Sequence, residues 1–468
     1  DFQEILRFRD HDWSLGFVHE TPDTGYPTYN RMGAGKGTFY DTIDLSNQGL
    51  RAKGMIEYIA SESYSKNVIF YPDSAYANTD SFVVHKGDYN GASFPKVEAD
   101  SVLTYWKPYK DTMYIQTRGE PFIMYDGEAE FRGKLMVTPW GLYGDGKMKI
   151  MEATMTSKSF KLNADDFGSK NMVLEMRSRD PKYLALAAKN LKGNIDMLNR
   201  TAEYNSNDKE AYHQMPYSQY ITNMDNIYWG MDKHEVQLAS TKDVKKSWYR
   251  SVHKKQDSLD FNATGGYWYL DSARNTLLCN GIPYLPIADA RIFVDSGEVL
   301  IYPKAKMDTL RNAVLKADTD SFYHEIYQSV LNVQSKYKYR GQGIYDYINK
   351  TKKPQQIFFD KIRTEQYIDE DWLKDDNKWE THATGTIPEE QEFELNPKIG
   401  FKGKSHVYAI DEFLTFEGYA KVYETHELVE TDWFSFSSMI DPNNMSIEIK
   451  NPRNERERPL HTGYHLKG

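Results

Sequence analysis

Apolar and polar residues alternate along the chain in short runs, and Gly, Asn, Asp or Pro closes almost every run. Gly127-Glu128-Ala129-Glu130-Phe131-Arg132-Gly133 and Gly297-Glu298-Val299-Leu300-Ile301-Tyr302-Pro303 show the pattern. Successive side chains on a strand point to opposite faces, so period-two runs between turn residues predict strands with one buried face. Two stretches also carry helical spacing: 182–195 around Leu184-Ala185-Leu186-Ala187-Ala188, and 309–334 around Leu310-Arg311-Asn312-Ala313-Val314-Leu315. Asn and Gly interrupt both, and β-branched or aromatic residues follow, so both read acceptably as strands. The expected fold class is all-β.

Residues 49–73 match 141–165 without a gap, at an offset of 92. Gly49/Gly141, Leu50/Leu142, Gly54/Gly146, Ser65/Ser157, Lys66/Lys158 and Asp73/Asp165 are identical, while Ile56/Met148, Tyr58/Ile150 and Phe70/Leu162 keep apolar positions. Retention of glycines, strand phase and turn residues together points to a duplication, with a degraded echo at Gly400-Phe401-Lys402-Gly403 and Phe416-Glu417-Gly418. Stacked layers of such units predict a β-solenoid, with tandem antiparallel β-sandwiches as the alternative. The expected segments are 1–92 and 93–200 as repeat units, 201–368 as further β layers, 369–391 as a polar loop or insertion, and 392–468 as a C-terminal β segment. A second polar break at 201–215 lacks an apolar period.

The chain has 468 residues, of which 40% are hydrophobic, enough for several cores rather than one. Its 35 tyrosines favour pleated, half-buried surfaces. The net charge of -10, with both signs interspersed, lacks the one-sided positive field that nucleic acid or an anionic membrane surface selects. Cys279 is the single cysteine, which excludes a disulfide framework and a Cys-based zinc site, and its neighbours Leu277 and Leu278 predict a buried thiol. No run approaches the ~20 apolar residues of a membrane-spanning helix, and no signal-peptide pattern is present. Without an initiator Met, the chain reads as a piece of a longer protein.

Chemical motifs are weak. His19-Glu20, His234-Glu235, His324-Glu325 and His426-Glu427 all lack a second His four residues after the first, as a metal-binding helix face would need. His461 and His465 have that spacing, but Gly463 between them predicts a frayed loop. Gly33-Ala34-Gly35-Lys36-Gly37-Thr38 fails as a phosphate loop because Gly37 follows the lysine and Asn30 replaces the upstream glycine, so a hairpin turn is expected. The acidic run 369–376 lacks the central Gly and terminal Glu of a calcium loop. Carboxylates lie near Trp106, Trp140, Trp229 and Trp268, as a glycoside hydrolase would need, but core packing and cross-strand ladders are the ordinary use of such aromatics. No catalytic residue, cofactor or metal ligand is assigned.

One motif exceeds its background. Asp-(Ser/Thr)-aliphatic or Met tripeptides place Thr42, Ser74, Ser101, Thr112, Ser258, Ser272 and Thr309 after an aspartate. Seven occurrences compare with roughly two expected from the chain's own residue frequencies. The tripeptide resembles the acceptor of the general O-glycosylation system of Bacteroidetes, which acts on exported proteins, and these seven hydroxyls are the candidate glycan carriers. Asp-Ser and Asp-Thr also cap turns, which alone would enrich them in a chain of hairpins.

Asp41-Thr42-Ile43-Asp44-Leu45-Ser46-Asn47-Gln48-Gly49-Leu50, Phe70-Tyr71-Pro72-Asp73-Ser74 and Ile287-Ala288-Asp289-Ala290-Arg291-Ile292-Phe293 resemble stretches of very large exported β-rich envelope proteins of Bacteroidetes, a family without an established activity. The resemblance implies a periplasmic, outer-membrane-associated or cell-surface location. It fits a non-enzymatic structural or binding segment whose partners are the rest of the same chain, other envelope proteins, a glycan or a lipid. The alternatives are a transport element with a hydrophobic β-groove and a carbohydrate-active enzyme on a β-helix. A packed interior counts against the groove, whereas two carboxylates about 5–10 Å apart in a cleft favour the enzyme.

Overall fold

The structure, a computed structural model, describes residues 6–9, 13–14, 37–46, 48–71, 74–89, 91–178, 183–270, 276–367, 378–424, 431–445, 447 and 452–460. Strands account for 66% of the described residues and no α-helix occurs among them, so the fold is all-β as expected. The chain divides into two compact units. One holds residues 1–217, 223–241 and 268–275, and the other 218–222, 242–267 and 276–468.

The first unit is an antiparallel meander. Gly37–Ser46, Gly49–Tyr58, Ser61–Tyr71, Ser74–Val84 and Val97–Lys107 pair in chain order. Thr112–Thr117, Ala129–Thr138, Gly141–Ile150, Ala153–Leu162, Asp166–Arg177 and Leu184–Asp196 continue it. Many of the long strands break their own alternation once, near the middle. Two consecutive exposed residues stand there, as at Lys66-Asn67, Asp80-Ser81, Lys158-Ser159 and Lys189-Asn190. Such a doublet shifts the phase by one residue and leaves a β-bulge in the ladder, which bends the strand while both halves keep their apolar side chains on the same side.

The bend folds the sheet over on itself. Phe39 pairs with Ile56 and Phe70 with Leu50, and those two partners lie on one strand six residues apart, about 20 Å if it were straight. The rings of Phe39 and Phe70 nevertheless meet edge to face with centroids 5.8 Å apart. Tyr58 and Trp106, also from opposite ends of the ladder, approach to 5.5 Å. The core is therefore the inside of one folded sheet, closed by its own side chains.

The sequence repeat maps onto this bend. Gly49–Tyr58 with Ser61–Tyr71, and Gly141–Ile150 with Ala153–Leu162, are hairpins that place Gly54 opposite Ser65 and Gly146 opposite Ser157. A Cβ on Gly54 would lie 2.1 Å from the Tyr40 carbonyl oxygen, and one on Gly146 2.2 Å from that of Arg132. Only glycine lets the backbones approach so closely. Ser65 donates to the Asn78 carbonyl at 2.7 Å and accepts from the Asn67 amide at 3.0 Å. Ser157 does the same with Asn171 at 2.8 Å and Ser159 at 3.1 Å. Backbone groups freed by each bulge are thus satisfied by the repeat's own serine.

In the second unit an eleven-stranded sheet runs from Leu285–Ile287 to Phe434–Met439. Tyr347 and Phe416 lie four strand spacings apart, about 19 Å in a flat sheet, yet their rings approach to 5.5 Å, so this sheet also closes over its core. Both stretches with helical spacing are strands, Leu184–Asp196 in the first unit and Leu310–Ala317 with His324–Ser335 in the second. Their mid-strand doublets produced the apparent helical period. Two polar segments need correction. Part of 369–391 is the strand Lys378–Ile387, and part of 201–215 is the strand Thr201–Ser206. Their inward residues include Thr381, Ala383 and Ala202, too small or too polar to mark an apolar period. Residues 368–377, the glycine-rich stretch at 33–36, His19, His426, His461 and His465 lie outside the described residues.

Candidate functional site

The interior is filled. Phe82, Phe122, Phe131 and Phe167 of the first unit, and Leu331, Phe359 and Phe416 of the second, are fully buried. Two groups of polar inward residues satisfy one another. In the first unit the buried hydroxyls of Ser63, Thr79 and Thr104 form a triangle with oxygen separations of 3.1, 3.1 and 2.7 Å. In the second, Asp289 accepts from the Thr381 amide at 2.9 Å and the Thr381 hydroxyl at 2.5 Å, so the Tyr339 hydroxyl, 2.5 Å from Thr381, is the donor of that pair. Burial pushes the Asp289 carboxyl and the Tyr339 phenol above their ordinary values. These groups are tied into the fold.

The glycan-acceptor candidates scatter. Ser101 and Ser258 are exposed and Thr309 is half-buried, whereas Ser74 and Thr112 are buried and Thr112 donates to the Lys110 carbonyl at 2.7 Å. Thr42 lies on the strand Gly37–Ser46, and Ser272 falls outside the described residues. Asp41, Ser101, Asp111, Asp257 and Ser258 have positive φ, from 46° to 101°. Four of the five tripeptides with both leading residues described therefore contain a left-handed residue at a bulge or turn, which gives the enrichment a backbone explanation.

The other candidates resolve similarly. Cys279 is fully buried and its thiol is pushed up by burial. Trp106, Trp229 and Trp268 are core residues, and Trp140 alone of that set is exposed. His234 sits 2.8 Å from Glu152, while His324 is buried with its Nε2 2.7 Å from the Asp411 carbonyl oxygen, and burial lowers its pKa. Among the described residues no group of three or more His, Cys, Asp or Glu is arranged to hold a metal ion.

Two outer-face arrangements escaped the sequence. In the second unit the Lys378–Ile387 strand and its neighbours bring His382 within 3.0 Å of Glu365 and 3.4 Å of Glu380, with the Tyr408 ring edge-on at 4.8 Å. Glu380 raises the His382 pKa most although Glu365 is nearer, because its carboxylate is the less exposed of the two, 13% against 40%. Glu380 and His382 are two residues apart on one strand, but Glu365 and Tyr408 come from neighbouring strands, and no linear pattern announces the set.

In the first unit, outward positions of six consecutive strands align in register. Ile69 pairs with Tyr76, Tyr76 with Tyr105, Tyr105 with Tyr114, Tyr114 with Met136, and Met136 with Tyr143. Tyr105 and Tyr114 are 37% and 38% exposed, and the other four are half-buried. At about 4.8 Å per strand the row extends about 24 Å. A parallel row two residues along presents Asn78, Leu103, Gln116 and Lys134. Lys107 Nζ stands 4.9 Å from the Tyr105 ring centroid. The signal was readable only as tyrosines in the polar phase of alternating runs; which of them align depends on register.

Together these observations define an all-β protein whose sheets close over side-chain-filled cores. No known protein family, curated protein or solved structure matches the chain.

Proposed function

We propose that the chain is a non-enzymatic structural or binding segment of a large exported bacterial envelope protein, acting through the outer faces of its sheets. The observation that carries this reading is the side-chain filling of the core: Phe39 packs on Phe70, and Tyr58 on Trp106, across the space a cargo groove would occupy. A surface with half-exposed aromatics in register is what remains for recognition. The matched hairpins at 49–71 and 141–162 support repetition along a longer chain, in solenoid-like layers. Export rests on the resemblance to exported Bacteroidetes proteins and on the acceptor-like tripeptides, of which the folded chain offers Ser101 and Ser258 most openly.

Native mass spectrometry after incubation with an envelope lipid extract tests the reading. The expected species has the mass of the chain alone. A stoichiometric bound lipid would establish a cargo site and overturn it.

A further inference from the structure

We infer that the aromatic row on the first unit is a binding platform for an acidic, carboxylate-bearing linear polysaccharide. This deepens the proposed outward-facing role by naming its ligand class.

The row has three properties that suit such a chain. Its middle is aromatic: Tyr76, Tyr105 and Tyr114 are directly opposed on three adjacent strands, and a pyranose ring presents C–H groups that pack on such ring faces. Its spacing is that of the strands, about 4.8 Å, comparable to the length of one sugar unit, so successive rungs meet successive sugars. A polar border follows it and ends at the Lys134–Asp145 pair. Asn78, Gln116 and Lys134 are exposed beside the rings and offer donors to hydroxyl and carboxylate oxygens.

Charge selects the acidic member of the class. The row continues into Arg51, paired with Ile69 at one end, and into Lys161, paired with Tyr143 at the other. Lys107 stands over the central Tyr105. From Arg51 to Lys161 no rung is a carboxylate. Cations at both ends and the middle of an apolar row, within a chain of net charge -10, mark a local exception that an anionic polymer fits.

Affinity electrophoresis of the purified chain through gels containing alginate, polygalacturonate or a neutral β-glucan tests the inference. Retardation is expected in the two acidic gels, weaker in the neutral gel, and reduced by added salt. Y105A/Y114A should weaken the acidic interaction at least about tenfold. R51Q/K161Q, which leaves the rings in place, should abolish the preference for acidic over neutral polymer. Circular dichroism confirms that each variant folds. Absence of retardation in every gel, or retardation that both variants leave unchanged, overturns the inference. So does concentration-dependent dimerisation lost in Y105A/Y114A, because the row would then be a self-interface. Failure here with lipid still excluded from the interior refutes the ligand class and leaves the scaffold reading standing.

Discussion

Ser65 donates its hydroxyl to the carbonyl oxygen of Asn78 at 2.7 Å, across the bulge where the strand bends. Ser157 and Asn171 repeat the relationship at 2.8 Å. Ser157→Ala removes the shorter of the two hydroxyl bonds to the Asn171 carbonyl, leaving Ser169 at 3.1 Å, and takes away the acceptor of the Ser159 amide at the bulge. A cost of about 1–3 kcal/mol is expected, measured as a shift in the urea midpoint. An unchanged midpoint would mean that the hydroxyl is dispensable to the bend.

The glycine opposite that serine is constrained more severely. A Cβ on Gly146 meets the Arg132 carbonyl oxygen at 2.2 Å, which is backbone and cannot swing away. Gly146→Ala should cost at least about 1–3 kcal/mol. Gly119→Ala, where a Cβ meets nothing within 4 Å, should stay within about 0.5 kcal/mol of the parent. Equal effects at the two positions would contradict the close approach.

His382 should titrate above its ordinary value of 6.5, chiefly through the Glu380 hydrogen bond, with burial opposing. A raised folded pKa gives stability that is fully present below pH 6.5 and is lost as pH rises through the folded value. Glu380 behaves in the opposite sense. Burial pushes it up, yet the bond from His382 brings it below 4.5 overall, so its contribution is present above 4.5 and is lost as pH falls through the lowered value. The cluster is strongest between those limits. An NMR titration of the imidazole protons checks it, and a midpoint at or below 6.5 would show that the carboxylates do not engage.

Cys279 should resist a thiol reagent in the native protein and react after guanidinium unfolding, because the side chain is fully buried and its thiolate is disfavoured there. Similar rates in both states would place the thiol at the surface.

Much of the fold was legible. Period two showed the strands, and the repeat pairs Gly54/Gly146 and Ser65/Ser157 turned out to be the hinge of a bend. The bend itself was hidden, because doublets such as Lys189-Asn190 read as breaks in a pattern rather than as shifts of phase. Lys378–Ile387 was hidden because Thr381, Ala383 and Gly385 alternate without bulk. The outer-face sites were the least legible. Tyr105 meets Tyr114 through a short local turn, but Tyr76 meets Tyr105 across the Gly87–Tyr89 and Ala92–Phe94 ribbon, and a shift of one residue would separate them.

The account stands on closure of the sheet over its own side chains, and the contact between Phe39 and Phe70 reports it most directly. Selective phenylalanine labelling in a deuterated background allows the nuclear Overhauser effect between the two rings to be recorded. A direct cross-peak is predicted, lost in Phe70→Leu. Its absence, with both rings assigned and the protein folded, would mean that the two halves of the sheet stand apart and that the interior is open.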